Sequence, residues 1–205
     1  QASGALVTFE LTAEIDGVLN TSVFYTGVRA STINEPRPQN IIDGINYNEA
    51  DNSSVTLSLW APQKSTVYVV GDFTDWAADP NYQMKKDGEH FWLEITGLTP
   101  GMEYGYQYWI DESLYIADPY ADKILDPDDR WIPSTTYPGL KPYPEGAIRP
   151  VWHQNRVAVL QTNQTPYVWQ NTNFQKPAKE KLVIYELLVR DFLGENNMNY
   201  QALID

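Results

Sequence analysis

The chain has 205 residues, with 27 Asp and Glu against 14 Lys and Arg, a formal net charge of -13. That excess repels nucleic-acid phosphates and anionic lipid surfaces at long range, so neither is an expected partner. There is no Cys, the only imidazoles are His90 and His153, and no apolar run approaches the roughly 20 residues of a membrane span; disulfides, thiolate metal sites and a transmembrane helix are excluded, and no cofactor is expected.

With 7 Trp and 14 Tyr, the chain has more large rings than a small core uses, and a flat ring is also a surface on which the apolar face of a pyranose stacks. It begins at Gln1, which leads us to expect a leader or a further domain upstream. Residues 5–15 and 18–28 alternate apolar and polar positions across Asp16-Gly17 and are read as a hairpin or two strand fragments. Arg29 to Asn40, with two Pro and little apolar content, reads as a linker, so residues 1–40 form a strand pair and linker, as the tail of a preceding β domain would.

Residues 41–120 read as a β-sandwich. Val55, Leu57 and Leu59 alternate onto one face, as do Phe91, Leu93 and Ile95, and then Tyr104, Tyr106, Tyr108 and Ile110. Residues 121–181 are rich in Pro, Trp, Tyr, Asn and Asp without a sustained period, and are expected to be an irregular connector laid over other surfaces. The run KLVIYELLVRDF at residues 181–192 is apolar on both alternate faces, the pattern of a parallel strand covered on both sides. Asn199 is a candidate cap for a helix opening at Tyr200, and the chain stops at Asp205 inside it.

The blocks WAP at 60–62, VVGDFTDW at 69–76, GLTPGMEYGYQYWID at 97–111 and ADPYA at 117–121 resemble the immunoglobulin-like early-set sandwich of carbohydrate-binding module family 48. That domain precedes the catalytic barrel in pullulanase-, isoamylase- and branching-type enzymes of glycoside hydrolase family 13, whose first barrel strand VIYELLVRDF resembles. The implied architecture is all-β: an early-set sandwich, a long irregular connector and, at residues 182–205, a truncated first strand and helix start of a (β/α)8 barrel. Leu188 stands where related pullulanases often carry His, so that position gives no substrate class.

The resemblance implies a parent enzyme acting on α-glucosidic bonds with an Asp nucleophile and a Glu acid, the retaining scheme. No segment here matches those carboxylates, and Glu186 and Asp191 read as structural; the chain alone is expected to be inactive. Glycogen-binding members use a Trp, a basic residue and a further aromatic, which fall on Trp76, Gln107 and Tyr115, and alternation puts Trp109 on the face of Gln107. These four, with Trp92 as a possible extension, are the expected contacts for starch, glycogen or a pullulan-like glucan. The implied partners are that glucan and the catalytic barrel of the same polypeptide; the competing readings are a stand-alone glucan-binding module and a purely structural spacer.

Asp126, Asp128 and Asp129 cluster without the ligand spacing or central Gly of a calcium loop and read as a solvated acidic turn. Asn20, Asn52 and Asn163 open N-x-S/T patterns. Localisation stays open, with an extracytoplasmic setting preferred.

Overall fold

The computed structural model describes residues 6–27, 31–192 and 200–204. Residues 6–27 form a hairpin: β1 (Leu6–Ile15) and β2 (Val18–Gly27) pair antiparallel in a sheet of their own. Asp16 and Gly17 both take positive φ, 51° and 77°, the backbone that matches a two-residue turn to the twist of its strands.

The sandwich has two antiparallel sheets. One is four-stranded, in the order β3 (Gly44–Tyr47), β4 (Val55–Trp60), β7 (His90–Ile95) and β6 (Lys85–Asp87). The other joins β5 (Val67–Gly71), β8 (Glu103–Ile110), β9 (Leu114–Ile116), β10 (Lys123–Leu125) and β11 (Val157–Gln161). The alternation read from the sequence sets the core: Val55, Leu57, Leu59, Phe91, Leu93 and Ile95 from the first sheet meet Val67, Val69, Tyr104, Tyr106, Tyr108 and Ile110 from the second. The fold is thus the all-β, immunoglobulin-like sandwich expected.

Two stretches behave differently from their composition. The 121–181 stretch supplies β10 and β11, and β11 pairs with β8 through Ala158–Tyr106 to Gln161–Glu103. Strand β11 lacks polar alternation because it is buried on both faces: Ala158 and Leu160 enter the main core, while Val157 and Val159 enter a second cluster with Leu125 and Ala147. The expected linker, in turn, is docked. Lys86 donates to the Ile33 carbonyl and Glu35 donates back to Lys86, which covers the free edge of β6. Arg37 then reaches Asp43, Ser58 and Asp87.

The candidate barrel strand does not form as a strand. Residues 182–188 have no ladder partner among the described residues, Val183 and Ile184 are 96% and 85% exposed, and Val189–Phe192 makes one helical turn, α1. A parallel strand needs a neighbour reached by a crossover, and none is supplied here. Gln201–Ile204 is helical (α2), whereas the candidate cap Asn199 lies outside the described residues. No helix among the described residues is long and apolar enough to cross a membrane.

Candidate functional site

Since Tyr104, Tyr106 and Tyr108 point into the core, Gly105, Gln107 and Trp109 project from the outer face of the β8 sheet. The four expected glucan contacts gather on this face. Trp76 is brought there by a turn in which Asp75 and Trp76 both have positive φ, 49° and 60°. Its backbone N–H donates to the Gly71 carbonyl at 3.0 Å and its indole to Asp72 Oδ1 at 3.1 Å. The ring passes over Gly105, where an added Cβ would stand 3.3 Å from Trp76 Cζ2.

Asp72 organises this corner. Its other oxygen accepts from the Gly105 N–H at 2.7 Å and from Lys141 Nζ at 2.9 Å. Gly71 makes the arrangement possible, because a side chain there would run into the Gly105 carbonyl and come within 2.9 Å of Tyr106 Cβ.

Gln107 is 0% exposed and faces no solvent. Strands β11 and β9 pair with successive stretches of β8, Glu103 to Tyr106 and Tyr108 to Ile110. Gln107 sits at the seam between them, and its Nε2 donates to the Gln154 and Arg156 carbonyls at 2.6 and 2.8 Å. A backbone turning into β11 at that seam needs donors, and an amide meets the need that a basic side chain would meet on an open face.

Tyr115 and Trp109 are half-buried and stack, with ring centroids 5.7 Å apart and planes at 11°. The Arg149 guanidinium lies 4.0 Å from the Tyr115 centroid on the same stack. Burial pushes the Tyr115 phenol up and the Arg149 guanidinium down from their ordinary values, each partly offset by the other group. Trp92 is not on this face: it is 5% exposed, its indole donates to the Glu35 carbonyl, and Lys85 lies over its ring.

The rings are covered by residues 140–156, which cross the sheet as a strap. Gly146 packs flat on Trp76, so closely that a Cβ there would meet Trp76 Cγ at 2.7 Å. Tyr143 donates to the Asn155 and Ala147 carbonyls, and Leu140 and Tyr143 join Trp76 against the second apolar cluster. Beside the strap is a cavity of about 570 Å³ lined by Arg130, Tyr137, Lys141, Tyr143 and Glu145 among others. Lys141 and Arg149, the cations that meet the face, escaped sequence reasoning because they lie far along the chain from β8; a Lys or Arg beside Pro and aromatic residues, as in Lys141-Pro142-Tyr143, was the only signal. The acidic turn, read as solvated, ties into the fold through one residue: Asp126 caps the turn Pro127–Trp131 and pairs with Arg156 at 2.8 Å.

Residues 44–121 match the family Carbohydrate-binding module 48 (Isoamylase N-terminal domain). They are a carbohydrate-binding module 48 domain. The 1,4-alpha-glucan branching enzyme GlgB of Clostridium perfringens (strain ATCC 13124) is 39% identical to this chain over 75 residues, 34% of this chain and 11% of the enzyme. The Fusobacterium nucleatum branching enzyme is 40% identical over 74 residues, again 34% of this chain and 12% of the enzyme. This chain therefore spans about a tenth of the length of these curated relatives. Among solved structures, the catalytic module of the pneumococcal glycogen-degrading virulence factor SpuA aligns with 60% of this chain and 16% of its own, at 22% identity and a TM-score of 0.38.

Within the module, the motif residues secure the sandwich before they offer anything to a ligand. Asp118 of ADPYA is 1% exposed and accepts from the Tyr106 and Tyr108 hydroxyls at 2.8 and 2.9 Å and, through its other oxygen, from the Tyr120 N–H. The strap that covers Trp76 lies beyond the matched residues, so sequence outside the module closes over its aromatic face.

Proposed function

We propose that this chain is the non-catalytic N-terminal region of an α-glucan-acting glycoside hydrolase, in which the module and its strap form one rigid support for the catalytic part. The single observation that carries this reading is the strap itself. A face built to receive a long glucan would be left open, whereas here Gly146, Arg149 and the Gln154 and Arg156 carbonyls occupy the ring face, the stack and the Gln107 amide. The 1,4-alpha-glucan branching enzymes among its relatives and the carbohydrate-binding family support an α-glucan as the substrate class. The retaining chemistry belongs to carboxylates outside this chain.

The test is direct. The purified chain is expected to release no reducing sugar from starch, glycogen or pullulan, and turnover that survives repurification would overturn the proposal. A second reading, glucan contact at Trp76, Trp109 and Tyr115, is favoured by the half-exposed parallel stack of Trp109 on Tyr115. Retention on immobilised amylose that disappears in Trp76→Ala and Tyr115→Ala would establish it. Stability changes without a change in retention would leave the support role alone.

A further inference from the structure

A separate concave region lies at one end of the sandwich, where the turn between β3 and β4 meets the residues that follow β11. It is a cleft of about 370 Å³ lined by Tyr47, Asn48, Asn52, Asp122, Thr162 and Gln164 among others, none of them part of the aromatic face. Its walls come from opposite sheets and are tied by the Gln161 N–H donating to the Tyr47 hydroxyl at 3.2 Å. The amides are held in place: Asn48 donates to Ser54 Oγ at 3.0 Å and accepts from the Ala50 N–H, and Gln161 Nε2 donates to the Gly101 carbonyl at 2.7 Å.

Three features give this cleft a ligand chemistry. Carboxamides present a donor and an acceptor side by side, the pairing that neighbouring hydroxyls require. The Tyr47 side chain is 38% exposed and offers an aromatic surface beside them. Thr162 is 1% exposed, and its hydroxyl has no hydrogen-bond partner among the described residues, a condition rare in native interiors. Its Oγ1 is closed off in this conformation, so a ligand hydroxyl completes it once the cleft wall shifts to admit it.

Asn52 and Asn163, which open two of the N-x-S/T patterns, both line this cleft, so those patterns add carboxamides to it. A cation is the poorer occupant. Glu49 and Asp122 bring two carboxylates, and no group of three His, Cys, Asp or Glu that could hold a metal occurs among the described residues.

We infer that this cleft is a saccharide site, independent of Trp76 and Tyr115, taking a short neutral glycan of a few sugar units. That the glycan is an α-1,4-glucan rests on the function proposed above; the site itself does not.

Amide chemical shifts of the whole chain titrated with maltohexaose and, separately, cellohexaose test both points. With maltohexaose, shifts are expected at Asn48, Gln161, Thr162 and Gln164 and persist in Trp76→Ala. Affinity falls about fivefold or more in Gln164→Ala, an exposed position, and in Thr162→Val, which keeps the shape and removes the unpaired hydroxyl. Thermal melts of both variants check that the fold is retained. Absence of shifts in the cleft with both sugars, or unchanged affinity in both variants, overturns the site. Shifts with cellohexaose and none with maltohexaose keep the site and overturn the α-glucan reading.

Discussion

Gln107 crosses the seam of its sheet to Gln154: its amide donates to the Gln154 carbonyl at 2.6 Å, while the Gln154 side-chain oxygen accepts from the Tyr115 N–H at 3.0 Å. The two glutamines thus stitch β9 and the entry to β11 onto one central strand. Gln107→Leu keeps the volume and leaves the Gln154 and Arg156 carbonyls unpaired. The expected cost is about 1–3 kcal/mol in urea unfolding, with retention on amylose unchanged. Retention lost without a change in stability would show instead that Gln107 meets the glucan.

A second prediction concerns Asp72, which accepts from the Trp76 indole, the Gly105 N–H and Lys141. Asp72→Ala removes the carboxylate that serves all three donors and leaves the Gly105 N–H unmatched. A loss of about 2–3 kcal/mol is expected, with faster hydrogen exchange across residues 140–156. In Lys141→Met only the ion pair goes, and since both side chains are about one-fifth exposed the expected loss is below about 1 kcal/mol. Equal losses in the two variants would mean that the ion pair, not the backbone and indole bonds, holds the corner.

The sandwich was legible in the sequence because its strands alternate: Val55, Leu57 and Leu59 announce a buried face by period alone. Strand β11 was not, because VAVLQ is apolar on both faces and shows no period of two. The docking of residues 31–37 on β6 was hidden too, being carried by backbone groups of Ile33, Glu35 and Lys86, which any residue possesses. At the candidate site, motif spacing brought Trp76, Trp109 and Tyr115 to one face. It gave no sign of Gly146 above Trp76, since what covers a surface depends on chain outside the motif.

That covering yields a third prediction. A Cβ at residue 146 would meet three atoms of Trp76 at 2.7–2.9 Å, and strap or ring must give way. In Gly146→Ala, hydrogen exchange is expected to accelerate across residues 140–156 and Trp76 fluorescence to shift toward that of a wetter indole. If the Trp76 ring is a glucan surface held closed by the strap, retention on amylose rises in this variant. Faster exchange with unchanged retention assigns the ring to packing.

The fourth prediction is a pH dependence. Tyr106 and Tyr108 both donate to Asp118, and burial above all, with the Asp118 charge adding to it, pushes both phenols well above their ordinary value of 10.0. The unfolded chain releases these protons near pH ~10, whereas the folded chain keeps them, so the unfolded state binds fewer protons and stability falls as pH rises beyond that point. The urea midpoint is therefore expected to be insensitive to these two groups at pH ~7–9 and to decline steeply above pH ~10. Tyr108→Phe lowers stability at neutral pH by about 1–3 kcal/mol, because buried Asp118 loses a donor. It also removes one of these two phenols, so the alkaline slope shrinks. An alkaline slope identical in wild type and Tyr108→Phe would place the titration elsewhere and detach it from the Asp118 centre.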